Sequence, residues 1–126
     1  MYELEIHRSF SAAHAIVMGG AREPLHGHDW RVDVVVEARE LDSDGLVCDF
    51  HALEQSLAAV LAPFQSRNLN ETPPFDQVNP TAELVARHIA VEMKSRVGAR
   101  ARLKSVRVTE APGCAARCIC QEGTPC

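Results

Sequence analysis

Val32, Val34, Val36 and Ala38 alternate with Arg31, Asp33, Glu37 and Arg39. An apolar residue at every second position lines one face of an extended strand, so this stretch belongs in a half-buried sheet. The same period runs through Tyr2, Leu4, Ile6, Phe10 and Ala12, with Glu3, Glu5 and His7 between them. Arg8 breaks the pattern and is expected at a bulge or a rim. The second strand is read as about Asp29 to Arg39, and Asp42-Ser43-Asp44-Gly45 as a turn. The period then changes. Behind a capping Asp49, Phe50, Leu53, Leu57, Val60 and Leu61 recur at helical steps until Pro63. Ala82, Val85, Ile89, Met93 and Val97 form a second helical stripe. Pro80 is expected at its first position and Gly98 at its end. Two more strands follow, about Arg102 to Glu110 and Ala115 to Gln121, parted by Pro112-Gly113. Ile16 to Leu25 and Gln65 to Asn79 read as loops, the second long enough for a functional or interface role.

The order is strand, strand, helix, helix, strand, strand. This predicts an α+β domain with a four-stranded antiparallel sheet and two helices on one face. The 126 residues fit one domain, read as 1–121 with a short tail at 122–126. Such a sheet has two open edges, and joining subunits edge to edge into a barrel removes them.

Composition narrows the function classes. Thirteen Lys and Arg against 17 Asp and Glu give a net charge of −4, which argues against a nucleic-acid partner. No apolar run reaches the ~20 residues of a membrane span, and the start lacks a secretory pattern. A cytoplasmic location is therefore expected. Four of the five cysteines, Cys114, Cys118, Cys120 and Cys126, lie in the last thirteen residues without a Cys-x-x-Cys pair. They are read as thiols of a last strand and tail rather than as a zinc site.

The histidines carry the chemistry. His26 and His28 share one face of an extended chain, and by parity His28 continues the row of Val32, Val34 and Val36. His14 continues the row of Leu4 and Ile6. If the two strands pair, three imidazoles converge, the usual donor set of a catalytic zinc with an open fourth position. His7, His51 and His88 show no such convergence and are read as surface or rim residues. Glu110 shares parity with Val106 and Val108 and is expected to point inward, where a carboxylate needs donors.

Phe10-Ser11-Ala12-Ala13-His14, Leu25-His26-Gly27-His28, Gly45-Leu46-Val47-Cys48-Asp49-Phe50, Leu69-Asn70, Asn79-Pro80-Thr81-Ala82-Glu83 and Val108-Thr109-Glu110 stand in an order that resembles the 6-pyruvoyl-tetrahydropterin synthase family. That family includes the 6-carboxytetrahydropterin synthases, and the resemblance runs from about Phe10 to Cys118. It implies a tunnelling fold (T-fold), a homo-hexamer built from two trimeric barrels, and active sites between subunits. It also implies Zn2+ on His14, His26 and His28, a pterin edge anchored by Glu110, and a pocket completed by Pro80 and Thr81.

The chain departs from the family at three positions. Arg22 stands where the family's catalytic cysteine precedes the His-Gly-His motif. Gln65 and Ser66 stand where its Asp-His pair precedes Leu-Asn. The ordinary proton relay is therefore missing, and no other cysteine is assigned the nucleophile role. Glu23, three residues before His26, matches a folate-pathway branch that cleaves the pterin side chain. It is the candidate catalytic base. The expected function is that of a homologue with a retained pterin pocket that does not run the ordinary synthase reaction. The alternatives are a Glu23-dependent, metal-assisted side-chain lyase, a 6-carboxytetrahydropterin synthase and a non-catalytic pterin-binding protein.

Overall fold

A computed structural model describes residues 1–123. Cys126 and the end of the expected tail lie outside the described residues. Strand β1 (Tyr2–His14) pairs antiparallel with β4 (His26–Ala38) over their whole length, from Tyr2 opposite Ala38 to His14 opposite His26. Arg8 sits opposite Val32 in an unbroken ladder, so it forms no bulge; its side chain is exposed. Between these strands, the expected loop folds back as a ribbon of β2 (Val17–Met18) and β3 (Ala21–Arg22). Its turn residues Gly19 and Gly20 have φ of 56° and 81°, which L side chains adopt only with strain.

Helix α1 (Phe50–Leu61) starts where the Asp49 carboxylate accepts from the His51 amide. Its buried stripe is Leu53, Leu57, Val60 and Leu61; Phe50, counted in that stripe by spacing, is exposed. Helix α2 (Ala82–Lys94) is capped by Thr81, whose hydroxyl accepts from the Leu84 amide. Pro80 therefore lies before the cap rather than at the first helical position. The helix stops at Lys94, short of Val97, in a turn where the Arg96 and Val97 amides both bond the Met93 carbonyl.

Strands β6 (Arg102–Ala111) and β7 (Cys114–Ile119) complete the sheet. The long loop adds one element that periodicity cannot reveal. β5 (Arg67–Asn68) pairs parallel with Ala12 and Ala13, giving a mixed five-stranded sheet in the order β5-β1-β4-β6-β7. Both helices pack on the face that carries Ile6, Phe10, Trp30, Val32, Val34, Val36, Val106 and Val108. Among the described residues, no helix is long and apolar enough to cross a membrane.

Candidate metal centre

The buried row of β1 and β4 ends in histidines. His14 is fully buried and follows Phe10 and Ala12; His26 and His28 precede Trp30 on the same face. The Trp30 indole packs edge-on against both His14 and His28, with ring centroids 4.7 and 5.6 Å away. Its own N–H donates to the Ala12 carbonyl. Glu110, the residue after Thr109 on β6, extends the row of Val106 and Val108 to the same point. One donor atom from each of His14, His26, His28 and Glu110 lies within 4.8 Å of all the others.

Backbone carbonyls set the rings. His14 Nδ1 lies 2.8 Å from the Pro80 carbonyl and His26 Nδ1 lies 2.9 Å from the Pro24 carbonyl. A carbonyl only accepts, so each Nδ1 carries the proton and each Nε2 keeps a lone pair facing the centre. The two Nε2 atoms are 3.1 Å apart. Glu110 Oε1 is 2.7 Å from His14 Nε2, 3.1 Å from His28 Nε2 and 4.0 Å from His26 Nε2. Tetrahedral zinc with bonds of ~2.0–2.1 Å separates its ligand atoms by roughly 3.3–3.4 Å. The observed spacings bracket that value. His28 Nε2 is also buried without an aligned hydrogen-bond partner, an orphan that a metal ion satisfies. Burial holds the His28 ring below its ordinary pKa, helped by the neighbouring His26 and His14 and opposed by Glu110. That direction favours the neutral ring a metal ligand must have. The three imidazole nitrogens fit a divalent first-row ion, with the Glu110 carboxylate beside its fourth position.

Glu23 stands at the rim. Its Oε1 accepts from the Ile16 amide at 3.0 Å and lies 3.7 Å from His26 Nε2. Pro80 meets the cluster through its carbonyl, whereas the Thr81 hydroxyl is engaged in capping α2. The three residues expected at the family's relay positions can be located. Arg22 is exposed on β3. Ser66 has φ 58°, donates its amide to the Ser11 carbonyl, and receives the Gln65 side-chain amide at 3.2 Å. Among the described residues, no cysteine joins the cluster. Burial, with the Asp49 carboxylate beside it, pushes the Cys48 thiol above its ordinary pKa and away from thiolate chemistry. His7 and His51 are exposed, as expected. His88 is not a surface residue: it is half-buried between Phe64 and Phe75, both ring centroids 5.5 Å away.

Two asparagines do work that the motifs alone do not explain. Asn70 grips both backbone groups of Ala15, Oδ1 accepting from its N–H and Nδ2 donating to its C=O, each at 2.8 Å. Asn79 does the same to Val17 at 2.9 Å. Side-chain amides here replace a neighbouring strand and fix the chain as it leaves His14. Both residues occur in the quoted motifs, but nothing in their spacing shows what they hold.

Pairing, helices and a histidine-carboxylate cluster at one end of the sheet define a T-fold protein with a candidate metal centre. The pattern of the 6-pyruvoyl tetrahydropterin synthase family matches residues 3–120, and the chain belongs to that family. It is 33% identical over 102 residues to a dihydroneopterin monophosphate aldolase of Pyrococcus furiosus, covering 81% of this chain and 83% of that one. It is 33% identical over 94 residues to a 6-carboxy-5,6,7,8-tetrahydropterin synthase of Bacillus subtilis, covering 70% and 62%. Among solved structures, the Caenorhabditis elegans 6-pyruvoyl tetrahydropterin synthase superimposes with a TM-score of 0.84 at 23% identity, over 95% of this chain and 96% of that one. A Plasmodium vivax 6-pyruvoyltetrahydropterin synthase, solved with a glutamate described as a catalytic residue changed to alanine, superimposes at 0.73 with 20% identity, over 93% and 96%.

Proposed function

We propose that this protein is a metal-dependent lyase that shortens the side chain of a dihydropterin, with Glu23 as its base. The carrying observation is the Glu23 carboxylate, held by the Ile16 amide 3.7 Å from His26 Nε2 in a site without the family's cysteine or Asp-His pair. The aldolase named for the Pyrococcus relative supports this reading.

In this reading His14, His26 and His28 would hold Zn2+, which when bound would supply a Lewis acid toward a side-chain oxygen. Glu23 takes the proton of a side-chain hydroxyl. The adjacent carbon–carbon bond breaks to release an aldehyde, and its electron pair passes into the C=N bond of the ring. A proton then returns to the carbon left on the ring, giving a hydroxymethyl-pterin. Glu110 accepts the paired N–H groups of the pterin edge, a charge-assisted planar match. Pro80 and Thr81 close the pocket beside it. The subunits complete the pocket as a homo-hexamer of two trimeric barrels, working in the cytoplasm. With Arg22, Gln65 and Ser66 in the relay positions, the ordinary synthase reaction is negligible.

The test is incubation of the zinc-loaded protein with dihydroneopterin and its mono- and triphosphates. The expected products are a hydroxymethyl-dihydropterin and a two-carbon aldehyde or its phosphate. Glu23→Gln should lower turnover ~10²–10⁴-fold with metal content unchanged. Formation of 6-carboxytetrahydropterin, or full activity in Glu23→Gln, would overturn the assignment. Tight pterin binding without turnover would favour the non-catalytic reading that the missing relay also supports.

A further inference from the structure

The sheet face opposite the helices holds a second polar cluster, well apart in role from the histidines. Cross-strand register places Asp33, Arg107 and Arg117 in one row over β4, β6 and β7, and Arg31 beside Thr109 in the next row. Residues opposite one another share a face, so these side chains project together. Arg31 is neutralised locally: its Nε and a terminal nitrogen bond the buried Asp33 carboxylate at 3.1–3.3 Å. Arg107 and Arg117 stand directly opposite each other and are exposed, and neither forms an ion pair with a described residue. Like charges placed opposite one another destabilise a strand pair unless something lies between them. An independent sign lies next to them. Thr109 Oγ1, on the same face, is buried without a hydrogen-bond partner.

We infer that Arg107, Arg117 and Thr109 form a binding site for a small oxyanion of the phosphate class. Two guanidinium groups supply paired donors of the geometry that phosphate oxygens accept, and the orphan hydroxyl supplies a third donor. Acidic residues limit the site's length. Asp29 and Glu5, two residues beyond Arg31 on β4 and two before His7 on β1, lie in the rows at either end of the cluster. Rows on one face of a sheet are only ~6.5–7 Å apart. The basic stretch along the strands is therefore short, a length that suits one phosphate or a short polyphosphate better than a long polyanion. The phosphate can be free or can belong to an ester of the enzyme's substrate.

Calorimetric titration of inorganic phosphate and of tripolyphosphate into the full-length protein, with sodium chloride at matched ionic strength as control, tests the site. The parent should bind tripolyphosphate, and the double variant Arg107→Gln, Arg117→Gln should bind it at least ~10-fold more weakly. Thr109→Val should weaken it in the same direction, and Arg87→Gln, an exposed arginine on α2, should leave it unchanged. Retained metal stoichiometry in the double variant shows that it is folded. Equal affinity in parent and double variant, or an equal response to chloride, would overturn the site. A raised KM for a phosphorylated pterin in the double variant assigns the phosphate to the substrate, whereas unchanged kinetics with lost tripolyphosphate binding assigns it to a free oxyanion.

Discussion

On the face of β4 and β6 that meets the helices, Trp30, Val32, Val34, Val36, Val106 and Val108 are fully buried. On the other face the same strands carry Arg31, Asp33 and Arg107. The two faces differ in what they contribute. Each fully buried apolar side chain is worth ~1.5–3 kcal/mol. The Arg31–Asp33 pair, with Arg31 half exposed, adds at most about 1 kcal/mol. The helix-covered face therefore supplies the stability, and the histidine cluster is a continuation of it. His14, His28 and Glu110 sit where the apolar rows run out, so their rings and carboxylate inherit the rigidity of the core. The open face is free to carry charge because little packing depends on it.

Four measurements can break or sharpen that contrast. The largest effect is expected for Trp30→Ala, which removes both a core side chain and the surface on which two histidines rest. A loss of ~3–5 kcal/mol in urea unfolding should accompany loss of metal binding. A variant that loses stability but keeps its metal would separate core from site. Next, His28→Ala should weaken zinc binding by more than ~100-fold in competition with a chelator, beyond what positioning partners alone cost. The fold should survive by circular dichroism, since His28 is a partly exposed end of its row. Third, Asn70→Ala removes two hydrogen bonds to Ala15 and should cost about 2 kcal/mol. Zinc affinity should drop with it, by ~10-fold, because His14 precedes the gripped residue.

The smallest effect concerns His88 in the helix layer. Burial between Phe64 and Phe75 lowers its pKa below the ordinary 6.5, with Glu92 opposing. The unfolded chain then binds the proton more readily than the folded one, so stability rises with pH between the folded and unfolded values. The contribution is whole above the ordinary histidine value and is lost as pH falls through that window. Melting temperatures of parent and His88→Gln between pH 7.5 and 5.5 should show a shallower slope in the variant. Equal slopes would mean that the ring titrates as if in water.

Much of the site was readable from parity, because a two-residue period carries a side chain's direction over many residues. It placed His14, His26, His28 and Glu110 on one face without help from geometry. Spacing could not reveal the groups that orient them. The Pro80 and Pro24 carbonyls hold His14 and His26, but every residue has a carbonyl, and nothing in the sequence marks these two. β5 escaped for a related reason: two residues give no period, and Arg67–Asn68 pair with β1 through backbone alone. The end of α2 was misread because Val97 fits the apolar stripe, though the helix has already tightened into a turn at Met93. His88 was read as a surface or rim residue because one histidine on a helix reveals nothing of the two phenyl rings brought to it, one from a distant loop.

The clamp on β1 has a consequence for the order in which the protein becomes competent. His26 and His28 lie within one short run of chain, but Asn70, Asn79 and Pro80 reach the neighbourhood of His14 from 55 to 66 residues away. A chain that has closed its first hairpin but not yet docked the segment before α2 presents two oriented histidines and a third that is free to turn. The aim of the third ring is thus set by contacts made across 55 to 66 residues rather than by the hairpin that carries the other two.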